Sequence, residues 1–263
     1  MTRAADNVRV AVITGTSSGI GQACARKFLS EGFRVYGLSR RPGEGIHIAC
    51  DVSDAESVKA AFREIAARED SIDVLVCNAG MGISGAAAYA EHSDIMRIFG
   101  VNCMGVFSCV REALPLLRKG AHIVTVSSAA AYFAIPFQAY YSATKAAVTA
   151  YTQALRTELA VLGIRVCCVM PGDVHTGFTD ARRKSEAGAE VYGQRIGKSI
   201  AAMEKDERTG MSPDHVADVI YRRAQQKNPP PLTTVGALYK VFIFLNRLFP
   251  TRLVEFIIAH MYS

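Results

Sequence analysis

Short, uniformly apolar runs alternate with longer stretches of helical periodicity along most of the chain. Residues 8–13, 34–38, 46–50, 73–77, 122–126 and 165–170 are strand-length apolar runs. Residues 20–31, 55–67, 95–117, 140–162 and 213–226 carry helical spacing. Asp54 is placed to cap the second helix, and Ser212 followed by Pro213 to open the last one. Strands that are apolar throughout, and not alternating, belong in a parallel sheet covered on both faces. The expected fold is therefore α/β, a doubly wound parallel sheet of about seven strands with helices on both faces. No internal repeat and no Gly/Pro/Ser-rich linker divides it, so residues 1–263 read as a single domain. Two segments break the rhythm. Residues 172–210 are polar with no clear strand. Residues 232–263 are apolar and basic, and read as a short strand and two short helices.

Composition narrows the class. Half of the 263 residues are hydrophobic and 21% are charged, which excludes a disordered chain. No run of 18 uninterrupted apolar residues occurs, and residues 1–9 lack the apolar stretch of a signal peptide, so the expected location is cytoplasmic. The net charge of +6 is spread along the chain. Its densest clusters, Arg182-Arg183-Lys184 and Arg222-Arg223, have no interleaved aromatics and read as solvated helix faces, not as a nucleic-acid surface. The seven cysteines are odd in number and show no metal spacing. Cys50, Cys77 and the adjacent Cys167 and Cys168 read as small core residues, and no metal is expected.

The first chemical signal is "VAVITGTSSGIGQACARKF", which joins the first strand to the first helix. Gly15, Gly19 and Gly21 at that junction permit close backbone approach to a diphosphate. The helix then offers free N–H groups and its positive dipole end. With Thr14 in front, "TGTSSGIG" resembles the glycine motif of the short-chain dehydrogenase/reductase family. The resemblance implies a Rossmann-like fold and a dinucleotide cofactor held along Gly15, Thr16, Ser17, Ser18, Gly19, Ile20 and Gly21. The second strand ends in Ser39, Arg40 and Arg41, with no acid to accept from a ribose 2′-hydroxyl. Arginine can clamp a phosphate with two parallel hydrogen bonds, so these residues predict NADP(H), with Arg40 as the main contact. The resemblance further implies that Asp51 and Val52 contact the adenine. It places Asn78, Ala79 and Gly80 of "CNAG" beside the cofactor, where the family usually has Asn in place of Cys77.

The catalytic signal is "AYYSATKAA". A free phenol gives up its proton reluctantly at neutral pH, and a nearby ammonium lowers its pKa. Residues four apart share a helix face, which pairs Tyr141 with Lys145. Tyr140, five residues from Lys145, is expected to pack or to line the pocket. The family resemblance places its serine thirteen residues before the tyrosine, at Ser128, and assigns Asn102 a water-holding role in a proton relay. It also gives Tyr141 and Lys145 a share in holding the cofactor. Along "PGDVHTGF" it places Pro171, Gly172, Val174 and Thr176 around the nicotinamide.

Together these residues predict an NADP(H)-dependent oxidoreductase interconverting a secondary alcohol and a ketone. Met81, Ile83, Tyr132, Phe133, Ile135, Phe137, Phe178 and Tyr192 are candidates for the substrate wall, which favours a lipophilic hydroxysteroid-, retinoid- or lipid-like substrate. A 3-oxoacyl-[acyl-carrier-protein] reductase and a non-enzymatic dinucleotide sensor are the alternatives. The apolar tail is expected to cover the substrate pocket. The other reading is peripheral membrane contact through Phe242, Leu245 and Leu248 beside Lys240 and Arg247. The resemblance implies a homodimer or homotetramer formed through the helices at 95–117 and 140–162.

Overall fold

The computed structural model describes residues 8–262. The polar start of the chain, read above over residues 1–9, lies mostly outside them. The elements run β1 (Val10–Thr14), α1 (Gly19–Ser30), β2 (Arg34–Ser39), β3 (Ile46–Ala49), α2 (Ala55–Ala66), β4 (Ile72–Cys77), β5 (Ile83–Ser84), α3 (His92–Phe99) and α4 (Gly105–Ala113). They continue with β6 (Leu117–Val126), α5 (Ala139–Ala160), β7 (Arg165–Pro171), α6 (Phe178–Ala181), β8 (Arg183–Lys184), α7 (Ala189–Tyr192) and α8 (Arg195–Arg208). Last come α9 (Pro213–Gln225), β9 (Leu232–Val235), α10 (Ala237–Leu248) and α11 (Thr251–Tyr262). Seven strands form one sheet in the order β3-β2-β1-β4-β6-β7-β9, every pair parallel. The order reverses between β1 and β4, and that reversal opens a crevice at the carboxyl ends of the strands.

The alternation of side chains along each strand sorts the core into two layers. Val10 and Val12 of β1 face a cluster with Phe62 and Ile65 of α2, Val106 and Val110 of α4, and Leu155 and Leu159 of α5. Ala11 and Ile13 face the opposite cluster, with Phe28 of α1 and Val216 and Ile220 of α9. Each such fully buried large side chain contributes about 1.5–3 kcal/mol relative to an exposed one. All seven cysteines are buried and unbridged. Burial pushes the Cys77 and Cys167 thiols up to about 12. They pack as small apolar residues. Asp54 and Ser212 cap their helices as expected, accepting from Glu56 N–H at 3.0 Å and His215 N–H at 3.2 Å.

Three elements depart from the sequence reading. The helical stretch expected at 95–117 is broken by a π turn over residues 100–104. It ends in a 3-10 turn around Pro115, so β6 begins at Leu117 instead of His122. Residues 92–116 together have the length and mean hydropathy, 1.2, of a membrane-crossing helix, yet half of their most apolar window is packed inside the fold. The segment 172–210 contains the fourteen-residue helix α8, which the sequence reading missed. Its inward residues Ile196, Ile200 and Met203 do follow helical spacing, diluted by the charged residues between them. The same segment holds β8, which pairs with β5 in a two-residue parallel ladder. In the tail, one strand and two helices form as expected.

Two hydrogen-bonded joints fix the crevice. Thr14 Oγ1 accepts from both Asn78 N–H and Ala79 N–H at 2.9 Å, and Asn78 Nδ2 donates to Thr14 O at 3.0 Å. Ser127 Oγ donates to Lys145 O at 2.7 Å and accepts from Thr149 Oγ1 at 2.8 Å, which seats α5 on β6. A Thr14→Val substitution keeps the shape but leaves two backbone donors without their partner. Urea titration should show a loss of about 2 kcal/mol of unfolding free energy, and an unchanged midpoint would contradict this role.

Candidate active site

A cleft of about 1300 Å³ opens at the switch point, and nearly all of the sequence-predicted site residues line it. Its first arm starts at the β1–α1 turn. Gly15 and Gly19 adopt φ of +77° and +56°, a region that disfavours side chains. A Cβ at Gly21 would lie 2.2 Å from Gly15 O, so this glycine lets α1 close against the turn. Helix α1 has Ser18 at its N-cap with no side-chain cap bond and no acid in its first turn, which leaves its N-terminus receptive to an anion. Gly15, Ser17, Ser18, Gly19 and Ile20 line this arm. Thr16 and Gly21 do not. Thr16 is buried, with Oγ1 3.4 Å from Ser39 Oγ, so both residues shape the loop from behind.

Farther along, Ser39, Arg40, Arg41, Asp51 and Val52 line the same arm. Ser39 Oγ donates to Arg41 O at 2.7 Å and so holds the bend that carries the two exposed guanidinium groups. Burial opposes ionisation of Asp51, but hydrogen bonds from Ser53 N–H and Oγ, at 3.0 and 2.6 Å, and the charges of Arg40 and Arg97 together hold its pKa below the usual value. Arg97 of α3 was not anticipated, because α3 reaches the cleft only through the tertiary fold. The glycine cradle, the open helix end and the paired arginines fit a dinucleotide.

The second arm holds the candidate chemistry. Ser128, Tyr141 and Lys145 line it together with Asn78, Ala79, Gly80, Pro171, Gly172, Val174 and Thr176. Tyr141 lies between Phe178, with ring centroids 5.7 Å apart, and Lys145, whose Nζ is 5.6 Å from the Tyr141 ring centre. Lys145 is buried and donates to Val126 O at 3.0 Å. Burial lowers its pKa to about 8. The net shift of the Tyr141 pKa runs opposite to the lowering expected from Lys145. Burial dominates and pushes the phenol up to about 12, with the Ser128 hydroxyl pulling the other way. Tyr141 is therefore protonated at neutral pH.

Asn102 sits in the π turn, a feature that often marks functional helices. Its side chain does not line the cleft. It accepts from Met81 N–H at 2.8 Å and donates to Met81 O and Thr144 Oγ1, both at 3.0 Å. Asn102 Oδ1 and Lys145 Nζ both stand over Gly80, 3.5 and 3.6 Å from where its Cβ would lie. Its amide locks the Met81 segment beside the lysine. The two other hydroxyl candidates are engaged elsewhere, although Ser127 also lines the cleft. Ser127 is the α5 anchor described above, and Tyr140 donates to Ala87 O at 3.0 Å.

Beyond Tyr141 the cleft widens into a chamber. Met81, Phe133, Ile135 and Phe178 line it, as the sequence suggested. Ile83, Tyr132, Phe137 and Tyr192 do not. Phe137 and Tyr192 pack instead on the satellite core around Ile196, Ile200 and Met203. Tyr132 lies under Arg247, and its carbonyl accepts from Asn246. The tail forms the opposite wall through Leu238, Phe242 and Leu245 of α10, Phe249, and Ile257, Ile258 and Met261 of α11. The outward side of these helices exposes Val241, Phe244, Leu248 and Phe256. One polar patch interrupts the chamber. Asp173, Asp206, Glu207, Tyr239 and Tyr262 line it, and none was flagged by the motifs.

A doubly wound sheet with a phosphate cradle at the switch point and a buried Tyr–Lys pair beside it describes a nucleotide-dependent oxidoreductase. Comparison with known proteins agrees. Residues 9–187 match the family model of the short chain dehydrogenases. A 3-ketodihydrosphingosine reductase of Bacteroides thetaiotaomicron is 36% identical over 97% of this chain and 98% of its own length. A short-chain dehydrogenase from Streptomyces avermitilis superposes with a TM-score of 0.82 at 26% identity, covering 94% of each chain. A 3-ketoacyl-(acyl-carrier-protein) reductase from Brucella melitensis, complexed with NADH, gives 0.72 at 27% identity over 86% of this chain and 96% of its own. The chain belongs to the short-chain dehydrogenase/reductase family. It is an oxidoreductase acting on CH–OH groups with a nicotinamide nucleotide cofactor.

Proposed function

We propose that this protein is an NADPH-dependent reductase of long-chain lipid ketones, of the kind that reduces 3-ketodihydrosphingosine to the secondary alcohol. The observation that carries this reading is the joining of the Ser128–Tyr141–Lys145 centre to an apolar chamber walled by α10 and α11. A chamber of that lining favours an alkyl chain over a sugar or a small acid. The end-to-end similarity to a 3-ketodihydrosphingosine reductase supports the same substrate class, since tail and site are both included in the match.

The bound cofactor supplies the reducing equivalent at the nicotinamide. The protein supplies the proton and the geometry. Ser128 holds the substrate oxygen by a hydrogen bond, and Tyr141 donates its proton to that oxygen. A phenol held protonated is suited to the reductive direction, because it has a proton to give. Lys145 faces the Tyr141 ring and steadies the phenolate left behind. Asn102 positions this lysine's surroundings through Met81 and Thr144. Arg40 and Arg41 favour NADPH over NADH by pairing with the extra phosphate, where no acid stands to repel it.

Tyr141→Phe should reduce kcat for ketone reduction by about 10²–10⁴-fold and leave NADPH binding nearly intact, whereas Tyr140→Phe should be mild. Lys145 loses its charge as pH rises through about 8, so kcat/KM should be flat below that pH and fall above it. A Tyr141→Phe enzyme of normal rate, or a rate still rising through pH 9, would sink the assignment. Arg40→Ala should raise the KM for NADPH about 10-fold or more while barely changing that for NADH. Equal effects on both nucleotides would show that Arg40 does not read the phosphate.

A further inference from the structure

Asp173 is not explained by the reaction just described. It follows the Pro171-Gly172 pair, lines the cleft and is only partly exposed. Its Oδ2 accepts from the Tyr239 hydroxyl of α10. The Tyr239 ring packs against Gly172, where a Cβ would come within 2.0 Å of two ring carbons. The backbone is equally fixed, because Met211 N–H donates to Asp173 O at 3.0 Å and a Cβ at Gly210 would meet that carbonyl at 2.5 Å. This carboxylate is therefore set rigidly in the chamber wall. Among the described residues its second oxygen accepts no hydrogen bond.

The neighbouring charges offset it only in part. Arg182 is the cation near this wall, but it is bonded to Glu207, which also accepts from Thr179 Oγ1 at 2.8 Å. Asp206 and Glu207 add negative charge, and Tyr262 is neutral at ordinary pH. Burial, reinforced by those two carboxylates, pushes the Asp173 carboxyl up to about 6, the Tyr239 bond and the Arg182 charge acting against it. Asp173 lines the same cleft as Ser128 and Tyr141. A half-buried carboxylate with one bonded and one open oxygen, beside two further carboxylates, is costly. A cationic group on the ligand would offset that cost.

We propose that Asp173, braced by Tyr239, is a specificity-determining residue that receives a protonated amine adjacent to the substrate carbonyl. The inference rests on the ketone-reductase reading above and assigns the residue that would read an amine beside the carbonyl. The competing explanation is a latch, in which the Asp173–Tyr239 bond only ties the β7–α6 loop to the tail. Asp173→Asn separates the two, because an amide oxygen still accepts from Tyr239 while the charge is lost.

The test compares a 2-aminoalkan-3-one with the uncharged alkan-3-one of equal chain length, both with NADPH, in the full chain and in Asp173→Asn. The wild-type protein should prefer the amine by about 10-fold or more in kcat/KM, and in the variant that ratio should collapse towards one. Calorimetric titration of the corresponding amino alcohol should show the same loss of affinity, independent of turnover. If wild type reduces both ketones equally, or if the variant keeps the preference, the amine assignment is wrong and the reductase reading stands. If wild type reduces neither, both fall. Should the variant not fold, the wild-type ratio of the free amine to its N-acetyl derivative decides, with a ratio near one overturning the proposal.

Discussion

Lys145 is an ammonium-bearing side chain buried in the middle of a protein, held against a single backbone carbonyl of the neighbouring strand. Burying a cation is tolerated only when the surrounding frame leaves it no alternative. That frame is the seating of α5 on β6. Ser127 and Thr149 grip the Lys145 carbonyl, and Thr125 and Thr152 meet at 2.8 Å one layer deeper. Once α5 is fixed, Tyr141 projects one turn earlier on the same face and meets Ser128 from the strand end. The β1–β4 joint at Thr14 then sets the distance between this centre and the phosphate cradle. Position and charge at the site are thus consequences of two small hydroxyl-mediated joints, both in the core and neither part of the chemistry.

The same burial decides how the site works. A helix-face argument from sequence pairs Tyr141 with Lys145 and expects a lowered phenol pKa. Desolvation instead raises Tyr141 and lowers Lys145, so the two groups are held as a neutral phenol and a weakly retained cation. Tyr141 thus carries a proton at neutral pH that it can give to a carbonyl oxygen. The apolar chamber beyond it explains why both groups are so poorly solvated.

Much of this was readable from local pattern. The strands are uniformly apolar, so the parallel sheet followed from periodicity alone. The glycine turn, Arg40, Ser128, Tyr141 and Lys145 lie in short contiguous motifs whose spacing carries their geometry. What escaped was set by long-range packing. Nothing local distinguishes Asp173 from any loop aspartate, because its significance comes from Tyr239, 66 residues later. Arg97 reaches the cleft only because α3 docks there. Ile83, Phe137 and Tyr192 looked like pocket residues because an apolar side chain near the site serves pocket or core equally well, and packing chose the core. The Asn102 π turn arises from a helix whose apolar pattern continues unbroken across it.

The central claim is that Tyr141 and its neighbours direct reduction of a long-chain ketone by NADPH. Incubation of the protein with 3-ketodihydrosphingosine and NADPH deuterated at the transferable nicotinamide position tests it most directly, with the product analysed by mass spectrometry. The account predicts a secondary alcohol one mass unit heavy, with the label on the former carbonyl carbon. Recovery of unreduced ketone, or of alcohol without the label at that carbon, would contradict it.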